Sequence, residues 1–198
     1  MIVELVLAAL AISAAGSAVV AYRRQRREKA EHAAALMAPR YLKDGDLLPN
    51  DVIVHLGADY LVVGVTTLSE GAQKVLVVAW MTDGSKAKQL VVNPKEQPRC
   101  VLAEPLPAEN LGGAIPTWVA SGDLKLKLAK RASVRMKGQG ECALPDEGAC
   151  EYGLFEGPGA RRAVALMAGG ELLILAGRAV TEAGLELLPG GTPVLDAG

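Results

Sequence analysis

The sequence predicts a mainly β protein: one N-terminal transmembrane helix followed by an antiparallel β-domain of barrel or sandwich type. Three observations carry that expectation. An uncharged apolar run opens the chain and ends in a dense arginine cluster. The remainder is a succession of short Val- and Leu-rich segments punctuated by Gly, Pro, Asp and Asn. Between those segments there is no convincing amphipathic helical period. The 198 residues are 51% hydrophobic and 4% aromatic, with mean hydropathy +0.24 and net charge -1. These values exclude a disordered chain, a wholly basic nucleic-acid binder, a collagen-like chain and a disulfide-dense secreted module.

Residues 5–22 read LVLAALAISAAGSAVVAY, without charge or proline. With Ile2 and Val3 the run reaches about the 20 residues that cross a hydrocarbon core as a helix. RRQRREK follows at once, bringing Arg23, Arg24, Arg26, Arg27 and Lys29, whereas only Glu4 is charged before it. That asymmetry places the N-terminus outside and everything after Tyr22 in the cytoplasm, as a single-pass protein of a bacterial inner membrane. A cleaved signal peptide is one rival, since SAAGSA supplies small residues, but its positively charged leading segment is missing. A buried globular helix is another, opposed by the arginines that end it. Small residues recur four apart (Ala11 and Ala15, Ser13 and Ser17), a spacing that lets two helices approach closely and permits a homo-oligomer. The plainer view takes alanine as filler.

Residues 23–40 carry six basic and two acidic side chains, a net of +4. Good helix formers continue to Pro39, so a short basic helical stalk is expected, with anionic lipid as its natural neighbour. The chain thus divides into an anchor at 1–22, a stalk at 23–40 and a β-rich cytoplasmic domain at 41–198. With +4 in the stalk and Glu4 outside, the domain is left at -4. A mildly acidic domain has no general attraction for nucleic acid.

Within the domain, DVIVHL, DYLVVGV, KVLVVAWM, QLVV, DLKLKLA, SVRMK, RRAVALM and ELLILAG have strand lengths and strand residues. Asp83 with Gly84, and Gly169 with Gly170, read as hairpin turns. Residues 106–113 hold at most a helical turn. A faint repeat runs through the domain. Gly45, Asp46 and Leu47 return as Gly122, Asp123 and Leu124; Tyr60, Glu70-Gly71 and KVLVVAW are answered by Tyr152, Glu156-Gly157 and RRAVALM. Two related β-meanders packed as one domain would account for it.

The stretch GDLLPNDVIVHLGADYLVVGVTTLSEGAQKVLVVAWMTDG, continuing to KQLVV and ending in LELLPGG, resembles the bacterial domain of unknown function 4178. The resemblance extends over about 41–190, through a Gly-Asp turn, a YLVVG strand and an EG turn. It implies a β-rich cytoplasmic module of envelope-linked bacterial proteins. It implies no activity and no catalytic residues.

Few residues of the sequence suggest chemistry. The three cysteines, Cys100, Cys142 and Cys150, form no CxxC pair, and the two histidines are His32 and His55. Neither a metal site nor a cofactor is expected. Cys142 and Cys150 bracket a loop, but a cytoplasmic setting favours reduced thiols. Of the two histidines, only His55 could serve a nucleophile as base. Alternation puts it with Ile53, opposite Val52 and Val54, where a half-exposed strand histidine is the ordinary reading. Asp44, Asp46 and Asp51 lie near it in sequence but flank turn residues. EGPGARRA lacks a phosphate-loop pattern and reads as a turn with Arg161 and Arg162 at its edge. The richest charge pattern is LKLKLAKRASVRMK at 124–137, with Lys125, Lys127, Lys130, Arg131, Arg135 and Lys137 and no acid. Two strands with basic outer faces are expected there, either meeting lipid or an acidic partner, or guarding exposed edges.

The function expected is therefore non-enzymatic: an interaction or scaffold module at the inner membrane, with the bilayer and envelope proteins as partners. Its contacts would be Arg23, Arg24, Arg26, Arg27 and Lys29 of the stalk and the basic residues of 124–137. The alternative is a small-molecule-binding or hydrolytic domain using His55 and nearby aspartates.

Overall fold

The computed structural model describes residues 40–107 and 114–190. The expected transmembrane helix, the stalk as far as Pro39, and nearly all of the segment 106–113 lie outside them. Among the described residues no helix is long and apolar enough to cross a membrane.

The described chain is mainly β, as expected, and entirely antiparallel. Its strands are β1 (Val52–His55), β2 (Ala58–Glu70), β3 (Gln73–Thr82), β4 (Ala87–Val92), β5 (Cys100–Leu106) and β6 (Trp118–Ser121). Then come β7 (Leu124–Gly140), β8 (Glu147–Glu156), β9 (Arg161–Ala168), β10 (Glu171–Val180) and β11 (Leu185–Leu188). They form one 11-stranded sheet in the order β11-β1-β2-β3-β4-β5-β10-β9-β8-β7-β6. An additional β2–β7 pairing joins the sheet to itself, so that β2–β5 and β7–β10 close a ring.

Each strand of the ring contributes to a filled interior. Leu68, Leu76, Val91 and Val101 meet Met136, Tyr152, Leu166 and Leu175 there, all buried. One polar pair lies inside, where Trp80 Nε1 donates to the fully buried Thr66 Oγ1 at 2.9 Å, whereas Gln89 Oε1 is buried with no hydrogen-bond partner among the described residues. Two further clusters pack on the outside of the ring. Val77, Ala79, Met81 and Leu90 are covered by Ile53, Leu42, Leu47 and Leu185. Phe155, Ala163 and Ile174 are covered by Leu126, Val119 and Ile115. Strand β3 is therefore apolar at seven successive positions, 75–81, because both its faces are covered.

The two seams of the ring need glycine. Gly64 in β2 lies opposite Gly140 in β7, and a Cβ on Gly64 would stand 2.2 Å from the Glu141 carbonyl oxygen. At the other seam a Cβ on Gly177 in β10 would stand 1.9 Å from the Leu102 carbonyl oxygen of β5. Backbones approach too closely at both places for any side chain.

One expectation is corrected. LKLKLA and SVRMK are not two strands but parts of β7, a single strand of 17 residues with a bulge between Leu128 and Lys130. The repeat runs across the ring's two meanders. It matches β2–β4 with β8–β10, whereas the meanders that build the ring are β2–β5 and β7–β10. Gly45 precedes β1, while Gly122 lies in the β6–β7 turn.

Candidate functional site

The basic residues of 124–137 are all exposed, but β7 does not present them on one surface. The bulge at Ala129 inserts one residue and reverses the phase of the strand. Before it, Leu126 packs into an outer cluster, leaving Lys125 and Lys127 on the opposite face. After it, Val134 and Met136 point into the ring, leaving Arg131, Arg135 and Lys137 outside. The structure thus divides the expected ribbon between the two faces of the sheet.

Half of these cations also have local partners. Lys125 Nζ lies 4.2 Å from the centre of the Trp118 ring. Lys130 pairs with Glu96, whose carboxylate raises the lysine pKa above its ordinary value. Arg131 grips Glu151 with two hydrogen bonds, which holds that carboxyl below its usual range. Between the pairing with β6, which ends at Lys127, and that with β2, which starts at Arg135, one side of β7 has no strand partner among the described residues. Lys130 and Arg131 stand on that open stretch, where charge discourages pairing with another chain. The stalk residues Arg23, Arg24, Arg26, Arg27 and Lys29 lie outside the described residues.

His55 is half-buried on the face it shares with Ile53, as alternation predicts. The aspartates near it in sequence are engaged elsewhere. Asp51 is fully buried and accepts from Arg40 Nη1 at 2.8 Å, Leu48 N at 2.8 Å and Gly190 N at 2.9 Å. Asp46 pairs with Lys74 at 2.5 Å, and Asp44 is exposed in the 3-10 turn Leu42–Asp44.

What His55 does line is a cleft of about 310 Å³ on the outer face of the ring, together with Lys88, Glu104, Arg161 and Arg178. Strands β4, β5, β9 and β10 supply its wall. Arg161, at the start of β9, stands directly opposite Arg178 in β10. Lys88 Nζ is 3.8 Å from Glu104 Oε1 and 5.6 Å from the centre of the Tyr60 ring. Sequence reasoning singled out Arg161 but neither Lys88 nor Arg178. A signal for Arg178 was present. A two-residue turn at Gly169 and Gly170 pairs Ala168 with Glu171, and counting back along both strands sets 161 against 178.

The remaining candidates are quiet. All three cysteines are free, and burial pushes the Cys100 and Cys150 thiols up to about 11. Such thiols are poor nucleophiles at neutral pH. Among the described residues no group of three His, Cys, Asp or Glu side chains could hold a metal ion. Gly157–Ala160 of EGPGARRA form the β8–β9 loop, and Arg162 Nη1, on β9, donates to the Gly159 and Arg161 carbonyls.

No protein-family model, curated protein or solved structure matches the chain.

Proposed function

We propose that the chain is a membrane-anchored, non-enzymatic interaction module, held at the cytoplasmic face of a bacterial inner membrane by a helix over 1–22 with its N-terminus outside. The topology reading draws on the apolar run and on Arg23, Arg24, Arg26, Arg27 and Lys29 after it. The observation that carries the surface-acting part is the ring's interior, packed with apolar side chains from all eight of its strands. Contacts with lipid or envelope proteins then fall to the stalk, to the outward cations Arg135 and Lys137, and to the oppositely facing Lys125 and Lys127. We read the ring itself as a small barrel of two related meanders. Close packing of the anchor's small residues would make it a homo-oligomer.

The resemblance to the domain of unknown function 4178 supplies no activity to this reading. A second reading, a small-molecule-binding or hydrolytic domain at His55, is favoured by the cleft that His55 lines. It loses the help of Asp46 and Asp51, which are already paired.

The lipid part is tested by binding of the chain to phosphatidylglycerol-containing bilayers as salt is raised. Charge reversal at Arg135 and Lys137 should weaken a salt-sensitive contact by about 1 kcal/mol per residue. Binding that ignores both salt and charge reversal would remove lipid from the proposal.

A further inference from the structure

We propose that the cleft between His55, Lys88, Arg161 and Arg178 is a binding site for a phosphate-bearing anion. Two arginines of the cleft carry a local cost. Arg161 and Arg178 are directly opposed on neighbouring antiparallel strands, an arrangement in which like charges repel. Neither forms an ion pair among the described residues, although other arginines of the domain do: Arg40 with Asp51, Arg99 with Glu182, Arg131 with Glu151. An anion between the two guanidinium groups would turn that repulsion into attraction, because each offers a planar fork of donors.

The surroundings are suited to such a ligand. Lys88 and His55 line the same cleft, so four side chains that are or can become cationic face one carboxylate, Glu104. Glu104 stands 66% exposed at the rim, while the Lys88 side chain beside it is 25% exposed. A volume of about 310 Å³ is near the lower end of the range for small-molecule sites, enough for a phosphate with a modest attached group. The site deepens the binding half of the second reading above, on which it rests: it uses no aspartate and draws on strands distant in sequence from His55.

Two sources offer this chemistry: a soluble phosphate ester, or the headgroup of an anionic phospholipid. The test uses the full 198-residue chain in nanodiscs. In phosphatidylcholine discs, pyrophosphate is added while the side-chain resonances of His55 and Arg178 are followed by NMR; in phosphatidylglycerol discs no pyrophosphate is added. A response to pyrophosphate assigns a soluble ligand, and a response only to phosphatidylglycerol assigns the headgroup; either supports the site. The double variant R161Q/R178Q should weaken the response by about tenfold or more, the loss expected when charge-assisted hydrogen bonds are removed. K43Q/K95Q should leave it within about twofold, since those exposed lysines lie outside the cleft. E104Q should strengthen it. Without ligand, R178Q should melt no lower than the parent, since it removes a like-charge pair. Resonances that stay still in both discs, or a response that R161Q/R178Q leaves intact, would overturn the proposal.

Discussion

Arg40 and Asp51 form a buried ion pair, 2.8 Å from Nη1 to Oδ2, with side chains only 5% and 1% exposed. The same carboxylate accepts the backbone N–H of Gly190, so it ties the first described residue of the domain to the last before 191. Breaking one half of such a pair strands a charge away from water. We expect Asp51→Ala to cost about 3–5 kcal/mol, read as a lower midpoint in urea unfolding. Replacing both residues by apolar ones should cost much less, because no charge is then left alone. Equal losses from the single and double changes would contradict this account of the clasp.

At the seams, Gly64→Ala and Gly177→Ala should each destabilise by about 2–3 kcal/mol or more, since the new methyl meets a carbonyl oxygen of a neighbouring strand. Thermal unfolding checks this. Alanine tolerated at either site would mean that the ring does not close there as described.

Leu56 occupies the β1–β2 turn at φ 52 and is 89% exposed. A leucine gains nothing from burial there and bears the strain of left-handed backbone. Leu56→Gly or Leu56→Asn should therefore stabilise the domain by about 1 kcal/mol, seen as a raised melting temperature. A drop in melting temperature with either change would show that Leu56 makes a contact worth more than its strain.

The β3–β4 turn is pH-sensitive through Asp83. Its Oδ1 accepts from the backbone N–H of Ser85 and Lys86 and from the Ser85 hydroxyl. Those bonds, that from the Ser85 backbone foremost, hold its carboxyl down at about 2 rather than 3.8. A depressed folded value means that the turn's stabilisation is present above pH 3.8 and is lost as pH falls through about 2. An NMR titration of the Asp83 carboxyl should find that low midpoint, and Ser85→Pro should raise it. A midpoint at the ordinary value would remove the turn's role.

Much of the fold could be read locally. KVLVVAWM is β3, QLVV lies in β4, and ELLILAG lies in β10, because runs of branched side chains between turn residues have few other stable outcomes. Gly169 and Gly170, both with positive φ, make the turn expected of them. What was not legible depends on distant partners. Strand β5 contains Pro105 and β8 contains Gly148 and Gly153, residues that argue against strands until their neighbours are known. The bulge at Ala129 has no local signature, yet it sends Lys127 and Arg131 to opposite faces. The cleft joins His55 to Arg178 from opposite ends of the domain sequence. The β1–β11 pairing, which sets His55 against Leu185, and the β5–β10 seam bring them together.

The central claim, a cytoplasmic domain on a single N-out anchor, is tested most directly by topology reporters in living bacteria. Fluorescent protein and alkaline phosphatase are fused in turn after Gly198 of the full chain. The account predicts a fluorescent, phosphatase-negative fusion that stays with the inner membrane on fractionation. Active phosphatase with no fluorescence, or a fusion recovered entirely in the soluble fraction, would contradict it.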